Sequence, residues 1–133
     1  MPTPTIEQVC GRDIEPYLAD LARLRIEVFR HWPYLYEGTL DYEMQYLKTY
    51  VQSPRSICVL VLDGSRVVGA STALPLSDET AQFQAAFIKA GWDISRLFYF
   101  GESVLLSEYR SRGFGHEFFN YRQRHAQSFA CFD

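Results

Sequence analysis

Val104-Leu105-Leu106-Ser107-Glu108-Tyr109-Arg110-Ser111-Arg112-Gly113-Phe114-Gly115-His116 is the stretch whose reading decides the fold of this chain. Its apolar start closes a strand over 97–106. Beyond the glycines, Phe114, Phe118, Tyr121 and Phe129 recur at spacings that predict a helix running to about Phe129. A strand that feeds a glycine-containing turn, which itself opens a helix, gathers unpaired backbone N–H groups and the positive end of a helix dipole in one place. Such a place favours a phosphate or pyrophosphate. Gly113 and Gly115 let a ligand oxygen approach the backbone, Arg110 and Arg112 add positive charge, and no acid stands between Tyr109 and His116.

Two well-known phosphate loops fail against these residues. A dinucleotide fingerprint needs glycine or alanine three positions after Gly115, where Phe118 stands, and its first glycine should follow the strand directly. A P-loop needs Gly-Lys-Ser or Gly-Lys-Thr, which the sequence lacks.

Upstream, Thr5 to Cys10 alternates polar and apolar residues and predicts a first strand. Asp13 is placed to cap a helix with Pro16 in its first turn, burying Tyr17, Leu18, Leu21, Leu24 and Val28 and ending near His31. After the loop from Trp32 to Gly38, Thr39 caps a second helix whose buried face is Leu40, Met44, Leu47 and Val51. Tyr42, Tyr46 and Tyr50 form a stripe beside that face, read as edge packing or, with the loop, as a wall of a substrate pocket. Ile57 to Leu62 and Arg66 to Leu74, joined by Asp63-Gly64-Ser65, read as an antiparallel hairpin. A helix from Asp78 to Ala90 then buries Phe83, Ala86, Phe87 and Ala90, and Gly91 ends it. This order of elements points to a mixed sheet covered by helices.

Composition narrows the function. A formal net charge of -3 with scattered basic residues argues against nucleic acid. Cys10, Cys58 and Cys131 form no C-x-x-C pair, so neither a metal nor a redox site is expected. No signal peptide or spanning apolar run is legible, so a soluble cytoplasmic protein without membrane contact is expected. The length fits a single domain over residues 1–133.

Arg110-Ser111-Arg112-Gly113-Phe114-Gly115 has the form R-x-x-G-x-G, and with its preceding strand and following helix it resembles the coenzyme A signature of the GNAT acetyltransferase superfamily. The order of elements over the whole chain is similar to that superfamily. The resemblance implies an α/β (α+β) fold, with a mixed, largely antiparallel central sheet flanked by helices. It implies an acetyl-coenzyme A dependent N-acetyltransferase acting on a primary amine, without a covalent enzyme intermediate or a metal. The pyrophosphate would lie on the backbone of Arg110, Ser111, Arg112, Gly113, Phe114, Gly115 and His116. The pantetheine arm would pair with Ser103, Val104, Leu105 and Leu106. Glu102 corresponds to the general base. In an apolar strand, a desolvated carboxylate takes up protons more readily, which suits that role. Against it stands the reading that Glu102 faces solvent or pairs with an arginine.

Other candidates are structural on this reading. His31 and His125 belong to helices, His116 offers its backbone amide, Cys58 is a core thiol and Cys131 has no evident base. Glu37, Asp41 and Glu43 would suit a cationic amine, or simply the start of a helix.

The resemblance also implies further strands after the signature helix, including one that opens the coenzyme slot and a tyrosine that protonates the departing thiolate. The sequence stops at Asp133, so a C-terminally incomplete domain is expected and no general acid is assigned. The exposed strand edge predicts a homodimer. A catalytically silent module that binds coenzyme A or a protein is the competing expectation.

Overall fold

A computed structural model describes residues 3–30, 38–129 and 132. The first strand, β1 (Thr5–Val9), leads into a 3-10 helix over Gly11–Tyr17 and then α1 (Leu18–Arg30). Asp13 does not cap it. Cys10 occupies the cap position, with no side-chain hydrogen bond. Pro16 has no N–H to donate, and the tight 3-10 pattern carries the chain past it, with the Leu18 N–H reaching the Glu15 carbonyl. From there Leu18, Leu21, Leu24 and Val28 are buried as the spacing predicts.

Thr39 caps α2 (Leu40–Gln52), its hydroxyl accepting from the Tyr42 N–H. The buried face is rotated from the expected one. Glu43, Leu47 and Tyr50 are buried, whereas Leu40 is exposed and Met44 and Val51 are only partly covered. Hydrophobicity alone would not choose Glu43 for the core, and an arginine on α1 explains it below.

Strands β2 (Ile57–Asp63) and β3 (Arg66–Pro75) form the hairpin, with Gly64 at φ +62 supplying the left-handed turn residue. The sheet order is β1-β2-β3-β4, every pair antiparallel, with β4 (Phe98–Leu105) at an edge. Ile57 to Val61 are fully buried because β2 is central and covered on both faces. Between β3 and β4, Leu76–Asp78 forms a short 3-10 turn, and α3 (Ala81–Lys89) starts from a Thr80 cap rather than at Asp78. No residue of α3 is buried, contrary to the expected apolar face. Phe83 and Phe87 instead pack edge-on against Tyr99 of β4 at the surface. Gly91, at φ +91, ends this helix as predicted.

The last helix, α4 (Phe114–Gln127), buries Phe118 against the sheet, with Phe114, Tyr121 and Phe129 partly covered. Helices α1 and α2 lie on one face of the sheet and α4 on the other. Gly101 faces Tyr50 of α2, while Phe100, its neighbour on β4, meets Phe119 and Arg122 of α4. Among the described residues no helix is long and apolar enough to cross a membrane.

Candidate active site

The turn after β4 is built from a 3-10 segment, Ser107–Tyr109, an extended Arg110, and two left-handed residues, Ser111 (φ 63) and Gly113 (φ 87). Tyr109 anchors it, buried and donating its hydroxyl hydrogen to Asp63 at the end of β2. That bond to a carboxylate also holds the phenol proton, raising the Tyr109 pKa above its ordinary value. The first bond within α4 runs from the Glu117 N–H to the Gly113 carbonyl, at 3.2 Å. The N–H groups of Phe114, Gly115 and His116 precede it and have no acceptor in the helix. A glycine in the cap position offers no side chain to satisfy them. A Cβ added at Gly113 or Gly115 would meet nothing within 4 Å, so the backbone there is open to an approaching group.

Both arginines of the turn fold back onto it. Arg110 Nε donates to the Leu105 carbonyl at 3.3 Å. Arg112 Nη2 donates to the Glu108 carbonyl at 2.9 Å, and its guanidinium lies 5.2 Å from the Tyr109 ring centre. Both remain exposed, as does His116.

Strand β4 presents an open edge beside this turn, since among the described residues no strand pairs with its outer side. Leu106 donates its N–H to the Val68 carbonyl, and Ala70 stands opposite Val104. Antiparallel alternation therefore turns the backbone of Val104 and Leu106 toward β3, and that of Ser103 and Leu105 toward the open edge. Of the four residues expected to pair with a ligand arm, these two have the geometry for it.

Glu102 lies where the register between β3 and β4 slips. Ser71 is opposite Ser103 and Ala73 is opposite Phe100, so Thr72 faces two residues, Gly101 and Glu102. This is a β-bulge, and it places both of those residues on the α1/α2 face. Glu102 is not the desolvated carboxylate the apolar strand suggests. Its side chain is 32% exposed and its Oε2 is ion-paired with Nη1 of Arg25. The pairing with an arginine, the alternative to a free base, is realised.

Arg25 is shared. Its Nε donates to Oε2 of Glu43 at 2.5 Å, and Glu43 is 0% exposed. The guanidinium also lies 4.6 Å from the Tyr46 ring centre and 5.2 Å from that of Phe29. One guanidinium thus faces two carboxylates within a collar of rings. Glu43 is thereby unavailable to a substrate, while Asp41 is exposed. Glu37, His31, Cys131 and the loop from Trp32 lie outside the described residues.

Arg25, Thr72 and Arg122 were not singled out by the sequence. Arg122 of α4 is buried, donates to the Thr72 carbonyl at 3.4 Å and stacks on Phe100 at 4.7 Å, so it braces the bulge from the α4 face. Burial lowers its pKa from the ordinary arginine value. The available signals were spacings, Phe118 to Arg122 at four residues and Glu43 to Leu47 to Tyr50 at four and three. His125 is structural, with Nε2 2.8 Å from the Arg55 carbonyl and its ring edge-on to Phe98 and Phe129. Cys58 is fully buried, which pushes its thiol up to about 12. Among the described residues no group of three His, Cys, Asp or Glu side chains is placed to hold a metal ion.

The architecture is the GNAT fold, an antiparallel sheet flanked by helices with the glycine turn between its edge strand and α4. The solved structure of aminoglycoside N-acetyltransferase AAC(6')-Iy in complex with coenzyme A superposes with a TM-score of 0.66 and 17% identity, over 97% of this chain and 72% of that one. An aminoglycoside acetyltransferase from an uncultured soil metagenomic sample, in complex with sisomicin, gives 0.60 and 14% over 98% and 73%. A GNAT-like decarboxylase in complex with isobutyryl-CoA gives 0.61 and 13% over 97% and 62%. No protein-family profile matches the sequence, and neither does any curated protein.

Proposed function

We propose that this chain transfers acetyl from acetyl-coenzyme A to a primary amine. The observation that carries the reading is the alignment of two binding elements, the edge of β4 that no strand covers among the described residues and the glycine turn at the head of α4. A pyrophosphate on the N–H groups of Phe114, Gly115 and His116 would leave its pantetheine arm along Ser103 and Leu105. The thioester would then reach the bulge. Neighbouring structures with coenzyme A or an acyl-coenzyme A bound support this class of ligand.

In the reaction the neutral amine attacks the thioester carbonyl carbon. The C–N bond forms, the C–S bond breaks, and coenzyme A leaves as a thiolate that takes a proton from solvent. The proton lost by the amine passes to Glu102. Arg25 engages Oε2, so Oε1 receives it. Neighbours that act on aminoglycosides support a small-molecule amine as acceptor.

A second reading is favoured by the Arg25–Glu102 pair, which engages the carboxylate and suits a module that binds the coenzyme without turnover. The test is a thermal shift with acetyl-coenzyme A combined with thiol release in the presence of sisomicin, spermidine or tyramine. A ligand that binds only the folded state must raise the melting temperature. Stabilisation with thiol release supports the transferase, stabilisation alone the silent module, and no stabilisation at millimolar coenzyme overturns both.

A further inference from the structure

We propose that the cleft between α2 and α3 is the acceptor site and that it selects a small organic cation, with the Glu79 carboxylate as its counter-ion. This rests on the acyltransferase reading and names its acceptor class. The cleft encloses about 530 Å³, a volume suited to a small molecule. Its walls include the rings of Tyr42, Tyr46, Phe83 and Phe87, with Thr49 and Thr80 among its polar groups. Tyr42 is 64% exposed, and Tyr46 and Phe83 are 37% exposed, so three large rings are held partly open around one hollow. Rings in this arrangement offer electron-rich faces to a cation.

Charge decides which ligand. Glu79 lines the cleft, and its carboxylate accepts a short-range bond from the N–H of the next residue, Thr80, at 3.1 Å. Its position is fixed through its carbonyl, which accepts from Gln84 Nε2 at 2.7 Å. The negative charge is felt by Tyr46 and Tyr99, adding to the burial that raises both phenols. Arg25, beneath Tyr46, acts on that phenol in the opposite direction. That guanidinium already faces Glu43 and Glu102, so the triad carries one net negative charge. Glu79 is the carboxylate that lines the cleft, so it is the one a ligand cation meets there.

Tyr46 also links the cleft to the chemistry. Its ring lines the cleft and lies 4.6 Å from the Arg25 guanidinium, which in turn is paired with Glu102. The cleft is thus connected to the bulge of β4 through two side chains in contact, Tyr46 and Arg25. An ammonium carried on an apolar or sugar body meets each requirement of the site, namely a carboxylate, ring faces and hydroxyl partners.

The test titrates the full-length chain with sisomicin, spermidine and tyramine separately, following amide chemical shifts by NMR. At least one should bind with shifts centred on α2 and α3, weaken on going from 50 to 500 mM salt, and weaken about tenfold or more in Glu79→Gln. Phe83→Ala, at an exposed helix position, should weaken it too. Coenzyme A thermal stabilisation should be unchanged in both variants. Absence of binding by all three cations, or equal affinity in Glu79→Gln, overturns the proposal. If coenzyme A stabilises the chain in that case, the acyltransferase reading survives. If the cations bind through Glu79 but coenzyme A does not, the cleft stands and the transferase reading falls.

Discussion

The Thr72 hydroxyl accepts a hydrogen bond from the Glu102 backbone N–H at 3.2 Å, at the point where β4 carries one residue more than β3. A ladder carbonyl would normally take that N–H, but the bulge removes it. The side chain thus replaces a backbone acceptor and fixes the phase of β4 from Glu102 onward.

Replacing Thr72 with valine keeps the shape and leaves this N–H without its acceptor. The donor is part-buried, so the expected cost is near the lower end of the range of about 1–3 kcal/mol for an unsatisfied buried donor. Thr72→Ser keeps the hydroxyl and should lose less. Urea denaturation measures both, and equal stability of the two variants would show that the hydroxyl does not hold the bulge.

Gly101 is the other bulge residue, and its lack of a side chain is a steric requirement. A Cβ there would stand 2.3 Å from the Tyr50 hydroxyl and 2.7 Å from Thr72 Oγ1. Gly101→Ala should therefore destabilise by roughly 1–3 kcal/mol, as overpacking does. Tyr50→Phe removes the nearer atom, so adding it should recover part of the loss. A double-mutant cycle with no coupling between the two positions would place the strain elsewhere.

The hairpin, the order of elements along the chain and the glycine turn were legible because each is written locally. Ile57 to Leu62 is continuously apolar, Asp63-Gly64-Ser65 is a turn, and Gly113 takes the left-handed conformation that a glycine permits. The face of Glu102 was not legible, because period-two alternation assigns it only if the register never slips. Nothing near Thr72 in sequence announces the slip. Glu43 was missed for a related reason. Its burial depends on Arg25, 18 residues away on another helix, which no local pattern connects to it. Helix α3 was read too deep, because apolar spacing reports a covered face but not whether a core lies beneath it.

Arg25 and Glu102 should behave very differently on substitution. Arg25→Met leaves Glu43 fully buried without its cation, a change of about 3–5 kcal/mol for breaking a buried pair. Glu102 is partly exposed, so Glu102→Gln should cost no more than about 1 kcal/mol. Replacing the pair together, as Arg25→Met with Glu43→Leu, should restore most of the stability. Equal losses for Arg25→Met and Glu102→Gln would contradict the burial asymmetry.

Cys58 sets an alkaline limit. Its thiol is held up to about 12 by burial, against an ordinary 9.0, so the fold favours the protonated form. That contribution is complete below pH 9 and declines as pH rises toward 12, with at most about 1.4 kcal/mol per unit. In Cys58→Ala the slope is absent, so the stability gap between the parent and this variant should narrow by about 1 kcal/mol between pH 8 and pH 10. Denaturant titrations at the two pH values measure it, and a constant gap would mean that the thiol ionises without opposing the fold.

Two glycines in the same turn separate backbone conformation from ligand approach. Gly113 sits at φ +87, so any side chain there is strained whatever the space around it, and a loss of binding in Gly113→Asp would be ambiguous. Gly115 lies in the first turn of α4 with no positive φ, and a Cβ would meet nothing within 4 Å. An aspartate there suits the helix dipole, so Gly115→Asp should fold at least as stably as the parent. It also puts a carboxylate where the pyrophosphate is proposed to lie, and repulsion between the two should weaken coenzyme A binding about tenfold or more. Gly115→Ala, which adds bulk without charge, should fall between the parent and Gly115→Asp. Calorimetric titration of the three proteins orders them. Unchanged affinity in a stable Gly115→Asp protein would move the anion site away from the head of α4.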